Sequence, residues 1–164
     1  MLILVDTYNL RHTTKLRRDG GLLDYEKTMD FVLKSMGNPN VKETIAFVAR
    51  LPHSDGFTHY LQQRLGFYTI VKKLRPGKAD NFDVEVTLEA LRSPEKNICI
   101  MSNSKNLLAL ILELQQQKRS VHVFGSGIHT EINTVCIARE IPASCLMEQT
   151  EQAEQVEQAE QAEG

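Results

Sequence analysis

The chain has 164 residues, of which 41% are hydrophobic and 24% charged, enough for one domain with a sizeable core. Three cysteines, Cys99, Cys136 and Cys145, form no Cys-x-x-Cys pair, which argues against a disulfide framework or a zinc knuckle and for free thiols in a reducing compartment. The net charge of -2 hides an asymmetry: six of the 21 acidic residues, Glu148 to Glu163, recur every third residue in the terminal EQTEQAEQVEQAEQAEG, so the remainder is mildly basic.

The first apolar run, Leu2 to Val5, reads as a strand that meets Asp6. It is too short for a signal peptide and lacks the basic flank of one. No segment approaches the roughly 20 apolar residues of a membrane span, so a cytoplasmic protein is expected. Tyr25 to Met36 carries apolar residues at helical spacing and is stopped by GNPN. Thr44 to Ala49 reads as a buried strand, Phe57 to Leu65 as an amphipathic helix ending at Gly66, and Phe67 to Leu74 as a third strand before the turn RPGK. Phe82 to Leu91 is a helix, Asn97 to Met101 a strand, Lys105 to Gln117 a helix, and Ser120 to Phe124 a strand closed by GSG. A last helix is expected over about Ile128 to Ala138. Strands alternating with helices imply crossover connections, hence an α/β three-layer sandwich around a mainly parallel sheet of about five strands.

The tail forms no apolar stripe on a helix, because three residues turn through about 300°. Its glutamates repel at i,i+3 spacing. Residues 148–164 are expected to be a disordered, solvated segment outside the domain of residues 1–147, with a basic protein as one conceivable partner.

Chemistry concentrates where strand C-termini meet helix N-termini, the edge at which open α/β sheets bind ligands. Asp6 and Asn9 follow the first strand. Asp6 either caps the next segment or holds a divalent cation, with Asn9 orienting it or touching phosphate. Asp80, Asp83, Glu85 and Glu89 lie around the third predicted helix. The nearest of them complement a helix dipole. Glu89, in the apolar run Val84 to Leu91, needs a cation, a metal or a hydrogen-bond donor. Arg50, Lys72, Lys73, Arg75 and Lys78 fall at the ends of the second and third strands, as a solvated rim or a phosphate guide. Tyr8 either packs or stacks on a base. The five histidines show no metal-ligand spacing, and GSG after the last strand is only a fragment of a dinucleotide fingerprint.

Together these residues resemble the NYN domain, a branch of the PIN-like nuclease superfamily. The family's D-x-x-N turn is matched by Asp6-Thr-Tyr-Asn9, and its V-D-V-x-L-like helix by Asp83, Val84, Val86 and Leu88 with Glu89 as second acid. The family's S-G-D-S-D-F-like turn and V-x-V-F-G strand end are matched by Ser102-Asn-Ser-Lys-Asn-Leu107 and Val121-His-Val-Phe-Gly125. The resemblance implies strand order 3-2-1-4-5 and Mg²⁺- or Mn²⁺-dependent cleavage of RNA, an endoribonuclease if active, with Asp6, Asp83 and Glu89 catalytic and the same three plus Asp80 as metal ligands. Asn9, Arg50, Lys73, Arg75, Lys78, Ser104, Lys105 and Asn106 would contact the nucleic acid. One departure stands out: both acids of the family's turn are replaced, by Ser104 and Asn106. Neutral oxygens hold Mg²⁺ more weakly than carboxylates, so a single ion and weakened activity are expected. The alternative is an inactive pseudonuclease that binds RNA or serves as an adaptor, its turn converted from cation to phosphate binding by the helix N-terminus and Lys105.

Overall fold

The computed structural model describes residues 1–17, 20–51, 54–75 and 81–148. Lys78, Asp80, His53 and residues 149–164 lie outside these. Six parallel strands form one sheet in the order β3-β2-β1-β4-β5-β6. They are β1 (Leu2–Asp6), β2 (Glu43–Ala49), β3 (Tyr68–Lys72), β4 (Asn97–Met101), β5 (Ser120–Gly125) and β6 (Ile137–Glu140). The helices are α1 (Thr7–Arg17), α2 (Tyr25–Ser35), α3 (Ser54–Gln63), α4 (Asp83–Arg92), α5 (Leu108–Gln116) and α6 (Thr130–Val135). The result is the expected α/β three-layer sandwich, with one strand more than the sequence suggested.

β1 and β4 are central and read as near-continuous apolar runs because both faces of a parallel sheet are covered. Alternation then assigns each face. Leu2, Leu4, Phe47 and Ile100 point to one side with Phe82 just before α4, Val86 and Ala90 of α4, and Ile111 and Leu114 of α5. Ile3, Val5, Cys99 and Met101 point to the other with Leu10 of α1, Val32 of α2 and Leu61 of α3. Phe47 and Phe82, both fully buried with centroids 5.9 Å apart, fasten the start of α4 to the middle of the sheet.

Two elements differ from expectation. α1 was not anticipated, because among its side chains described as buried only Leu10 is large and apolar; Thr7 and Thr14 fill the other inward positions. The segment expected to be one helix over 128–138 is split. α6 ends at Val135, and Ile137–Glu140 pairs with β5 as an edge strand, His122 opposite Ile137 and Gly125 opposite Glu140.

Candidate active-site cleft

The site starts with the switch point of the sheet. β1 and β4 lie side by side, and the chain leaves them towards different faces, so their C-terminal ends open a crevice. Asp6 is the last residue of β1 and the residue before α1. Its Oδ1 accepts the Asn9 N–H at 3.0 Å, the geometry of a helix N-cap, and its Oδ2 accepts the Ser102 hydroxyl from beyond β4 at 3.4 Å.

Capping alone does not account for a carboxylate here. Asp6 is only 2% exposed. Burial pushes its pKa up to about 6, the Asp83 and Glu85 charges add to the rise, and the Asn9 and Ser102 hydrogen bonds only partly oppose it. Keeping Asp6 ionised at neutral pH therefore costs about 3 kcal/mol, against roughly 1 kcal/mol for a cap that neutral Ser or Asn supplies equally well.

Asp83 opens α4 and faces the same cleft. Its Oδ2 accepts from the side-chain amides of Asn81 and Asn106, both at 2.8 Å. Asp83 Oδ1 and Glu85 Oε2 are buried with no hydrogen-bond partner among the described residues. Lys72, at the end of β3, braces this corner. Its Nζ lies 2.9 Å from Glu85 Oε1, donates to the Asn81 carbonyl at 2.5 Å and sits 5.0 Å from the centroid of the Phe82 ring. Lys72 thus holds the turn that aims Asp83, while its charge goes to Glu85.

The cleft, of about 170 Å³, is lined by Asp6, Tyr8, Asn9, His12, Asn81, Asp83 and Ser104. Asn9 Oδ1 accepts the Asn103 N–H at 2.9 Å, and the Asn103 amide donates to the carbonyls of Ser126 and Gly127 at 2.8 and 3.3 Å, tying the ends of β1, β4 and β5 together. The glycine in the first position of GSG has a packing reason. A Cβ on Gly125 would lie 3.3 Å from both the Ser102 carbonyl oxygen and Asn103 Cβ.

The structure therefore brings together Asp6, Asn9, Asp83 and Ser104 around one cleft, with Asn106 bonded to Asp83. Glu89 is not among them: six residues into α4, it pairs with Arg92 at 3.5 Å on the helix flank, and that arginine supplies the cation its position required. Glu85, whose charge reaches Asp6, is the nearer acid. Its place in the first turn of α4 was the available signal. Arg50, Lys73, Arg75 and Lys105 are exposed and stand outside the cleft lining. Lys78 and Asp80 fall outside the described residues. Asn81 and Ser102 escaped the sequence reading because uncharged polar side chains in turns carry no specific pattern.

The donor set fits a hard divalent cation in one respect: two carboxylates line one cleft, and one of them keeps a buried oxygen without a donor. Among the described residues, no group of three or more His, Cys, Asp or Glu side chains is gathered so as to hold a metal. Asp6 and Asp83 are thus the two carboxylates that the described lining of this cleft could offer to a cation.

A six-stranded parallel sheet in this order, with paired aspartates at its central crevice, has the form of a nuclease-like PIN fold. The NYN domain model matches residues 1–142, and the chain belongs to the NYN domain family. A crystal structure of a protein of unknown function from Vibrio parahaemolyticus has a similar fold, with a TM-score of 0.76 and 20% identity over 89% of this chain and 94% of that one. No curated protein sequence matches the chain. Among the described residues no helix is long and apolar enough to cross a membrane.

Proposed function

We propose that this protein is a ribonuclease of the NYN type that uses a single Mg²⁺ or Mn²⁺ ion and is slower than a member with a full acidic turn. The observation that carries this reading is the pair Asp6 and Asp83 facing one cleft whose described lining holds no lysine or arginine, with Asp6 buried at a cost to its ionised form. Asp6 and Asp83 would hold the ion, which when bound supplies charge against the scissile phosphate and lowers the pKa of its water. The chain's own residues do the positioning. Asn9 and Ser102 fix the two oxygens of Asp6, and Asn81, itself anchored by Lys72, orients Asp83. Ser104 and Asn9 offer neutral polar groups for phosphate or ribose at the mouth of the cleft.

A second reading has its own observation. Where the family resemblance expects an acid, Asn106 donates its amide to Asp83, giving that carboxylate a neutral partner in place of a metal. Such a cleft would hold RNA without cutting it.

Calorimetry with Mn²⁺ and a labelled-RNA cleavage assay, run on the wild type and Asp6→Asn, separate the two. The nuclease reading expects Mn²⁺ binding and cleavage in the wild type and neither in the variant. Cleavage that survives Asp6→Asn eliminates it, whereas RNA binding with no Mn²⁺ binding and no turnover establishes the pseudonuclease.

A further inference from the structure

α1 leaves the cleft with an exposed outer face. Its inward positions are Thr7, Leu10 and Thr14, all buried. Tyr8, Arg11, His12 and Lys15 are exposed and, at three- and four-residue spacing, share one side of the helix. Tyr8 and His12 begin this face inside the cleft lining, beside Asp6. Among the described residues neither Arg11 nor Lys15 forms an ion pair. The face extends about 10 Å along the helix axis from Tyr8 to Lys15, at 1.5 Å per residue.

The composition of this face favours one ligand. A tyrosine ring left 38% exposed at the mouth of a polar cleft offers a stacking surface. Two cations beyond it, neither in an ion pair among the described residues, offer sites for successive phosphates. A duplex keeps its bases stacked on one another, so only an unpaired strand can present a base to Tyr8.

We infer that the outer face of α1 is a track for single-stranded RNA: a base next to the phosphate at Asp6 stacks on Tyr8, and the strand runs outward over Arg11 and Lys15. The inference rests on the proposed RNA-binding reading of the cleft and holds whether or not the strand is cut. It adds the surface that carries the strand and the direction in which the strand leaves.

The test is fluorescence anisotropy of the full chain with a labelled single-stranded RNA 12-mer in EDTA, where metal-dependent cleavage is silent. Tyr8→Ala should weaken binding between about 5- and 150-fold, the range of one base–aromatic stack, while Tyr8→Phe retains wild-type affinity. Arg11→Gln/Lys15→Gln should reduce the slope of log K against log salt by about 1.4, two lost phosphate contacts on a single strand. The same RNA as a duplex should not respond to Tyr8→Ala. Circular dichroism melts establish that the variants are folded, and Tyr8→Phe serves as the control if the alanine variant is not. Unchanged single-strand affinity in Tyr8→Ala, weakened binding in a folded Tyr8→Phe, or an unchanged salt slope overturns the track and leaves the cleft reading standing. A wild type that binds no RNA removes both.

Discussion

The two rims of the sheet treat charge in opposite ways. At the rim where β4 and β5 begin, Arg119 donates to the carbonyls of Ser93 and Glu95, both at 2.9 Å, and the Gln115 side chain donates to the Val135 carbonyl. A groove of about 400 Å³ lies beside them, lined by Gln115, Arg119, Ser120, Val121 and residues from Thr134 to Ile137. At the rim where β1 and β4 end, the cleft is less than half that size, yet its described lining gathers Asp6 and Asp83 with no lysine or arginine, and Asp83 Oδ1 is buried with no hydrogen-bond partner among the described residues. Stability explains the first arrangement, in which each polar group closes on another. It does not explain the second, which keeps a buried carboxylate ionised at a cost of about 3 kcal/mol at neutral pH. The cost of a charge, rather than the size of a hollow, makes the second rim the candidate for function.

The contrast can be tested at its strongest point with Asp6→Asn. The folded-state pKa of Asp6, about 6, lies above the ordinary aspartate value of 3.8, so between these pH values the folded chain binds more protons than the unfolded one. Stability therefore falls as pH rises through this window, the loss being absent below it and complete above it. Denaturant melts without added metal should show Asp6→Asn nearly level with the wild type at pH 4 and up to about 3 kcal/mol more stable at pH 7.5. A variant less stable than the wild type at pH 7.5 would mean that the cap outweighs burial and that Asp6 is structural.

The opposite rim should respond with the opposite sign. Arg119→Met removes a charged donor from two carbonyls and is expected to cost about 2 kcal/mol. The loss should not vary between pH 4 and 8, since arginine stays protonated throughout. Mn²⁺ should not alter it. A loss that depended on Mn²⁺ would couple the two rims and undo the contrast.

The sequence made some of this legible and hid the rest for physical reasons. β4 was placed at Asn97 to Met101 as found, because a central parallel strand is a short apolar run between breakers. The stop of α2 was readable in GNPN: Gly37 and Asn38 take φ of 76° and 53°, and the Asn38 N–H closes on the Leu33 carbonyl at 2.8 Å. α1 was invisible to a reading by apolar periodicity, since Thr7 and Thr14 occupy inward positions that such a reading assigns to aliphatic side chains. β6 was read as helix because a four-residue edge strand, exposed along most of its length, has no alternation to show. In the site, Asp6 and Asp83 stood out as acids at element boundaries. Glu89 was favoured over Glu85 through the family pattern, and Arg92, one turn away at i+3, supplies the partner that Glu89 was expected to find elsewhere. Spacing along a chain identifies the element that carries an acid, but the partner that neutralises it depends on packing.

The smallest change proposed bears most directly on whether the cleft retains its metal chemistry. Asn106 donates to Asp83 Oδ2 at 2.8 Å, so Asn106→Asp replaces an attraction by a repulsion between two carboxylates. Residue 106 is exposed and the repulsion is screened, so the loss without metal should be about 1 kcal/mol, seen as a lower melting temperature in EDTA. A third carboxylate should also strengthen the cation site. Ligand linkage then predicts that Mn²⁺ at about 100 times the variant's Kd adds roughly 2.7 kcal/mol, against roughly 1.4 kcal/mol for a wild type that binds it about tenfold more weakly, and the difference offsets the loss. The variant should melt below the wild type in EDTA and above it in Mn²⁺. If the two curves never cross, the amide at 106 is not standing where a metal ligand can act, and the cleft is better regarded as one that holds RNA through Asn9, Ser104 and α1 alone.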